Sequence, residues 1–224
     1  MTDQLLIVPG SPALLRELSP RDAEGIRLRA LIEERLDHLL RIPPAHGIHL
    51  VGSRDARWRT AHRGSLRAWG APPEAPVAAD GYVLPEILQR ILLGPEREQL
   101  VSDVRGSLHP LDPEALTVVA LDGSAGMTPR APLALLDGAE WADLWCRDVL
   151  GGTGSPQLPE PAELREAGIL EPELWREVAA LAPSRRRLLA AEHSTGVGRY
   201  VAVASVEPTT DASAADPEEG GVCA

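Results

Sequence analysis

Serine and aspartate side chains follow three short apolar segments of the sequence, at residues 5–8, 48–51 and 117–121. The side chains in question are Ser11, Ser53, Asp122 and Ser124. An apolar run that ends in a glycine-containing turn is typical of a buried parallel strand, and the carboxyl ends of such strands present the site of an α/β protein. We therefore predict that these four side chains line one cleft and bind a small ligand. The alternative is that Asp-Gly-Ser only shapes a turn.

Two histidines and one glutamate are candidates for acid–base or metal chemistry. His62 lies between Arg59 and Arg63, and Glu192 and His193 precede a glycine-containing turn. A cleft histidine can donate or accept a proton near neutral pH, and a Glu-His pair can act as a base or ligate a metal. The alternatives are a solvated loop for His62 and, for the pair, a polar helix end whose dipole the histidine complements.

Arginines are concentrated in a loop-like stretch at residues 54–76. Arg54, Arg59 and Arg63 belong to it, together with Trp58 and Trp69. Guanidinium groups on a cleft loop bind carboxylate or phosphate through paired hydrogen bonds, which predicts an anionic ligand. The alternative is a solvated loop, because the chain has no lysine and arginine supplies every cation other than histidine. The tryptophans are expected to form either a packed lid or an aromatic wall.

Composition and charge narrow the classes of function. The 224 residues carry a net charge of −11, which disfavours general nucleic-acid binding. No segment approaches the roughly 20 apolar residues that span a bilayer, and the first residues lack the features of a signal peptide. The two cysteines have no metal-binding spacing, and there is no HExxH motif. We therefore expect a cytoplasmic protein with no membrane or nucleic-acid partner, and we assign no metal ligands.

Apolar periodicity and turn residues predict alternating strands and helices. Strands are expected at 5–8, 48–51, 116–121 and 198–206, and helices at 20–41, 84–93, 139–150, 159–167 and 171–181. The first helix is predicted to have Ser19 as its N-cap and Pro20 at its first position. Residues 95–105 fit neither pattern, and residues 185–187 are expected at a helix end.

This alternation of elements predicts the fold class and the domain organisation. Strands that alternate with helices favour one three-layer α/β domain over residues 1–207, with a mostly parallel sheet and helices on both faces. The last strand is expected to be able to join the sheet antiparallel to its neighbour. Residues 208–224 are rich in Pro, Thr, Asp, Ala, Glu and Gly, and we expect them to form a disordered acidic tail.

Four segments spread over most of residues 5–206 carry a likeness to a known family. They are LLIVPGSPALLREL at 5–18, RGSLRAWGAP at 63–72, DGSAGMTPRAPLALLDG at 122–138 and STGVGRYVAVASV at 194–206. Their order and spacing resemble the class III extradiol ring-cleavage dioxygenases. The chain is most similar to an actinobacterial branch of small proteins known only as dioxygenase-like. This resemblance implies the α/β sheet and the cleft of that family.

The family's chemistry implies a single iron held by histidine and carboxylate side chains, with a further histidine as acid and base. Where active relatives place histidines, this sequence reads Gly10-Ser11, Gly52-Ser53-Arg54, Ala79-Asp80-Gly81-Tyr82 and Thr128-Pro129. We therefore expect no iron cofactor, and a degenerate relative that binds a small, anionic ligand or a protein partner. The alternative is a working metal-dependent oxidoreductase or hydrolase with a remodelled site built on His62, Glu192 and His193. Either protein is compatible with a homo-oligomer.

Overall fold

The computed structural model describes residues 3–152, 157–181 and 185–205. The β-strands in these ranges are β1 (Leu5–Val8), β2 (Ile48–Val51), β3 (Val101–Arg105), β4 (Leu116–Ala120), β5 (Arg186–Glu192) and β6 (Arg199–Ala204). The α-helices are α1 (Ala23–Leu39), α2 (Leu84–Arg97), α3 (Ala139–Gly151), α4 (Pro161–Glu166) and α5 (Pro172–Ala179). The acidic tail predicted at 208–224 lies outside the described residues.

The strands form one six-stranded sheet with the order β3-β2-β4-β1-β6-β5. β3, β2, β4 and β1 are parallel to one another, whereas β6 is antiparallel to β1 and β5 is antiparallel to β6. A mixed α/β fold with a mostly parallel sheet and an antiparallel last strand is therefore confirmed. The chain passes from β1 to β2 and inserts β4 between them later, so β1 and β4 become neighbours through long-range pairing.

Strand side chains alternate between two cores, one on each face of the sheet. In β1, Leu5 and Ile7 pack in the core that α3, α4 and α5 cover, whereas Leu6 and Val8 pack in the core that α1 and part of α2 cover. A central strand needs apolar side chains on both of its faces, which is why residues 5–8 form an unbroken apolar run. Helices therefore cover both faces of the sheet.

Two segments form strands that the sequence did not predict. Residues 101–105, which fitted no pattern, form the edge strand β3, whose side chains are partly exposed and therefore lack a clear apolar run. The prediction of a helix end at residues 185–187 is wrong, because Arg186 begins β5. Its guanidinium nevertheless donates to the carbonyl oxygens of Val178 (2.9 Å) and Ala179 (3.3 Å) at the end of α5. The expected contact between arginine and a helix terminus is thus made from a neighbouring strand.

The first helix begins later than predicted. α1 starts at Ala23 with Asp22 as its N-cap, not with Ser19, because the Asp22 carboxylate accepts a hydrogen bond of 2.9 Å from the backbone N–H of Gly25. The same carboxylate is 2.5 Å from the guanidinium of Arg199 in β6. The residue that caps α1 is therefore also held by a long-range ion pair, which local sequence signals could not reveal.

The length and hydropathy of each helix show whether it could cross a membrane. In the described part of the chain, no helix is both long enough and apolar enough to cross a membrane.

Candidate functional site

The candidate site lies where the connections after β1 and β4 diverge. After β1 the chain turns to α1 on one face of the sheet, and after β4 it continues to α3 on the opposite face. Such a divergence between neighbouring parallel strands opens a crevice at their carboxyl ends, where open α/β sheets bind ligands. A cavity of about 330 Å³ occupies this position.

The cavity has an apolar wall with a few polar groups. Its polar side chains are Ser11, Ser53, Asp122 and Glu171, its aromatic side chains are Trp58 and Trp69, and the remaining residues are apolar or glycine. The turns after β1, β2 and β4 all contribute to it, as expected from parallel strands that end at one edge of a sheet. Small-molecule sites combine a mostly apolar lining with a few convergent polar groups in this way.

Asp122 is held in place by the turn after β1. Its Oδ1 atom accepts a hydrogen bond of 3.0 Å from the backbone N–H of Gly10. A Cβ atom on residue 10 would lie 3.2 Å from Asp122 Oδ2, so glycine permits this close approach. The carbonyl oxygen of Asp122 accepts a 2.7 Å hydrogen bond from Trp175 Nε1 in α5. These contacts fix the carboxyl group at the junction of β1 and β4.

The environment of Asp122 changes its proton affinity. Burial raises the pKa of this carboxyl from 3.8 to about 7, although hydrogen bonds from the backbone N–H groups of Gly10 and Ser11 oppose the shift. Arg199 also opposes it, and the nearby carboxylate of Glu171 reinforces it. A carboxyl group with a pKa near neutrality can either hold or release a proton at physiological pH.

A second carboxyl group and a tryptophan close another side of the cavity. Trp58 Nε1 donates a hydrogen bond of 3.1 Å to Glu171 Oε1, across 113 residues of sequence. The guanidinium of Arg57 lies 5.7 Å from the centroid of the Trp58 ring, on the exposed side of the loop. The loop after β2 is therefore joined to the start of α5, and Trp58 forms a wall of the cavity.

This loop has well-defined internal contacts despite its lack of long elements. The backbone N–H of Gly64 donates to the carbonyl oxygen of Gly81 at 2.8 Å, and that of Ala78 donates to the carbonyl oxygen of Gly64 at 2.9 Å. Leu66 packs with Trp58 and Trp69 in a small apolar core against α2. The tryptophans are thus positioned by packing, which supports the aromatic wall that the sequence left as one of two alternatives.

A buried glutamine of α2 connects two neighbouring strands of the sheet. Gln89 of α2 donates through Nε2 to the carbonyl oxygens of Val51 (2.9 Å) and Val118 (2.8 Å). These carbonyl groups belong to the neighbouring strands β2 and β4. One side chain therefore ties two neighbouring strands to the helix that packs on them.

A buried ion-pair network lies behind Asp122. The Arg199 side chain is fully buried and contacts the carboxylates of Asp22 (2.5 Å) and Glu192 (3.1 Å). Burial alone would raise the pKa of Asp22 and of Glu192, but hydrogen bonds lower both values, from Arg199 and Gly25 for Asp22 and mainly from Ser194 and Arg199 for Glu192. Both carboxylates therefore stay charged and neutralise the guanidinium.

The structure brings three of the predicted ligand-binding residues together. Ser11, Ser53 and Asp122 line the cavity. Ser124 is fully buried, and its Oγ accepts a hydrogen bond of 3.1 Å from the backbone N–H of Gly126, which is the turn role considered as an alternative. It does not line the cavity.

The three predicted arginines do not line the cavity either. Arg54 pairs with Glu86 at 2.7 Å, and Arg63 pairs with Asp80 at 2.9 Å, while Arg59 is exposed on the loop. Their guanidinium groups are used in contacts that hold the loop or face solvent. The structure therefore places no guanidinium of this loop among the groups that surround the cavity.

The predicted catalytic residues are not brought together. His62 lies in a surface depression with Arg63 and Arg67, and His193 lies in a separate, open depression of about 670 Å³ beside α3. Glu192 ends β5 and pairs with Arg199, so the polar helix end considered for the Glu-His pair is also wrong. These three side chains do not form a common centre.

The groups around the cavity do not fit the iron that the resemblance implies. Two carboxyl and two hydroxyl groups face it, but no histidine among the described residues does, and the family's iron requires histidine ligands. Across residues 3–152, 157–181 and 185–205, no cluster of three or more His, Cys, Asp or Glu side chains could hold a metal ion.

Glu171 is the functional candidate that the sequence did not identify. It precedes α5 and looks like an ordinary acidic residue at a helix start. Only its hydrogen bond to Trp58 and its position on the cavity distinguish it. No local motif could have revealed this pairing, because its partner lies on a different loop.

No model of a known protein family matches the chain, and no curated protein matches it with statistical significance. The resemblance to extradiol dioxygenases therefore stays a prediction.

Proposed function

We propose that this protein binds a small molecule in the cavity at the carboxyl ends of β1, β2 and β4. It is an extradiol-dioxygenase-like chain in this proposal, one that retains the cleft of the family without its iron chemistry. The observation that carries the proposal is the position of Asp122 in a mostly apolar cavity at the point where the connections after β1 and β4 diverge.

The size and lining of the cavity support a small ligand with a ring. A volume of about 330 Å³ is near the lower end of the range of about 300–1,000 Å³ that small-molecule sites occupy. Trp58 and Trp69 offer flat aromatic surfaces, on which a ring packs favourably. Ser11, Ser53, Asp122 and Glu171 offer hydrogen-bonding groups that orient the ligand.

Binding of small aromatic compounds tests this proposal. Saturation-transfer NMR with phenol, indole and benzyl alcohol is expected to show binding of at least one compound. ¹H–¹⁵N spectra of the protein with that compound are expected to show shifts of the indole N–H signals of Trp58 and Trp69. Ala13→Trp places a large side chain in the cavity and is expected to abolish binding. Ala30→Trp places the same side chain on the exposed surface of α1 and is the matched control.

Two results would contradict the proposal. One is the absence of binding by all three compounds to the wild-type protein. The other is binding that Ala13→Trp and Ala30→Trp affect equally, since the ligand would then occupy another surface.

Acid–base catalysis in the same cavity is the second candidate function. The observation that favours it is the pKa of about 7 at Asp122, which suits a group that exchanges protons with a bound substrate. Hydrolysis of aromatic esters is the corresponding assay. Catalysis by this group predicts a rate that changes around pH 7, persists with a chelator and disappears in Asp122→Asn. A rate that Asp122→Asn leaves unchanged contradicts it.

A further inference from the structure

Two carboxyl groups and two tryptophans surround the same small cavity. Asp122 and Glu171 supply the carboxyl groups, and Trp58 and Trp69 supply the rings. No arginine or histidine among the described residues lines the cavity, and the chain contains no lysine. The charged and aromatic groups that face a ligand are therefore all of a kind that attracts cations.

We propose that the ligand is an organic cation, a small ammonium compound with an apolar or aromatic body. The proposal rests on the proposed binding function and names its ligand class. The ammonium group donates hydrogen bonds to Asp122 and Glu171, and the body packs against Trp58 and Trp69. An anion would have to approach two carboxyl groups without any cation in the lining to balance it.

The network behind Asp122 does not cancel this preference. The charge of Arg199 acts on Asp122, but its guanidinium is fully buried and already contacts the carboxylates of Asp22 and Glu192. The one positive charge of Arg199 is thus paired with two negative charges, those of Asp22 and Glu192, apart from any charge on Asp122 and Glu171. This network therefore has no excess positive charge to cancel the attraction of Asp122 and Glu171 for a ligand cation.

The two carboxyl groups have different hydrogen-bond partners and lie on different sides of the cavity. Asp122 accepts from the backbone N–H of Gly10 through Oδ1, at the junction of the strands. Glu171 accepts from Trp58 Nε1 through Oε1, on the loop side. Asp122 also accepts from the backbone N–H of Ser11. A carboxylate has about four acceptor positions on its two oxygens, so both groups keep acceptor positions for the N–H donors of a ligand.

Proton linkage provides a readout that is specific for a cation. Asp122 must be ionised to pair with an ammonium group, and its pKa of about 7 means that the proton leaves when the cation binds below neutrality. The charged groups that face Asp122 are Glu171 and Arg199, the latter paired with Asp22 and Glu192. Affinity for an ammonium ligand is therefore expected to rise between about pH 5.5 and pH 8, whereas affinity for a neutral isostere is not.

Calorimetric titration with three probes of nearly equal shape tests the proposal. The probes are 2-phenylethylamine, which is a cation at neutral pH, 2-phenylethanol, which is neutral, and phenylacetate, which is an anion. A hydrogen bond to a charged partner predicts that the amine binds about tenfold to a hundredfold more tightly than the alcohol at pH 8. Phenylacetate is expected to bind most weakly.

Variants assign the preference to its residues. Asp122→Asn is expected to bring the affinities for the amine and the alcohol to within about threefold of each other, and Glu171→Gln is expected to reduce the preference in part. Asp148→Asn changes an exposed aspartate of α3 in the same way and serves as the control. It is expected to leave the preference unchanged.

The outcomes separate this inference from the function on which it rests. If the alcohol or phenylacetate binds as tightly as the amine, the cation preference is overturned but the small-molecule site stands. A preference for the amine that survives Asp122→Asn also overturns the inference. If none of the three probes binds while phenol, indole or benzyl alcohol does, the ammonium proposal fails alone. If no compound of either set binds, both proposals fail.

Discussion

Asp122→Asn is expected to stabilise the protein, and to do so more strongly as the pH rises. The amide cannot ionise, and its oxygen can still accept the hydrogen bond from the backbone N–H of Gly10. In the wild-type protein, burial raises the pKa of Asp122 from 3.8 to about 7. Above the lower of these values the unfolded chain releases the proton, while the folded protein retains it until the pH approaches 7. Folding stability therefore falls across this window.

The magnitude follows from the two pKa values. Each unit of difference is worth about 1.4 kcal/mol, so the full effect of a shift from 3.8 to about 7 is about 4 kcal/mol above neutrality. At about pH 5 only about 2 kcal/mol of this effect is present, because the effect accumulates with each pH unit above the pKa of the unfolded chain. The gain in stability of Asp122→Asn over wild type should thus increase by about 2–3 kcal/mol between about pH 5 and pH 8.

Urea denaturation followed by tryptophan fluorescence measures this difference directly. The free energy of unfolding is determined for wild type, Asp122→Asn and Asp148→Asn at several pH values, and other titrating groups cancel in the comparison. Asp148→Asn removes an exposed carboxyl group in the same way and serves as the control. A gain for Asp122→Asn that stays constant with pH, or a loss of stability at pH 8, would refute the argument that burial keeps this carboxyl neutral.

The remaining predictions concern groups outside the cavity. Arg199→Met removes a buried cation from between two carboxylates and is expected to lower the free energy of unfolding by about 3–5 kcal/mol; a loss below about 1 kcal/mol in urea denaturation would contradict the network. Gln89→Leu leaves two strand carbonyl groups without their donor and is expected to cost about 1–3 kcal/mol in the same assay, so an unchanged stability would contradict it. The pKa of His46 is raised above 6.5, first by its hydrogen bond to Asp112 and then by the charge of that carboxylate. NMR titration should find this shift and its loss in Asp112→Asn, and an equal pKa in both proteins would contradict the pairing.

Much of the sheet could be predicted from the sequence because its central strands are buried on both faces. Residues 5–8 and 116–121 are apolar almost without interruption, and such runs have few alternatives to a central parallel strand. The edge strand β3 could not be recognised in this way, since none of its residues is fully buried and three of the five, Ser102, Asp103 and Arg105, are polar. β5 was missed for a related reason, because only one of its residues is buried.

Only those residues of the candidate site that follow the ends of strands could be predicted from the sequence. Ser11, Ser53 and Asp122 directly follow apolar segments, so the topology of a parallel sheet was enough to place them together. His62 and His193 were selected by residue type and by their neighbours in sequence, neither of which fixes where a loop side chain lies, and the structure places them in separate depressions. Glu171 acquires its place from a hydrogen bond to a tryptophan far away in sequence, which no local pattern contains.

The most direct test of the account is to map where a small aromatic cation binds. A series of ¹H–¹⁵N NMR spectra of the wild-type protein with increasing 2-phenylethylamine is expected to shift the backbone signals of Gly10, Ser11 and Gly123 and the indole signals of Trp58 and Trp69. Such shifts would locate the ligand in the cavity beside Asp122. Shifts confined to residues around His62 or along α3 would contradict the claim that this cavity is the binding site. No shifts at all would contradict the claim that the protein binds an ammonium compound.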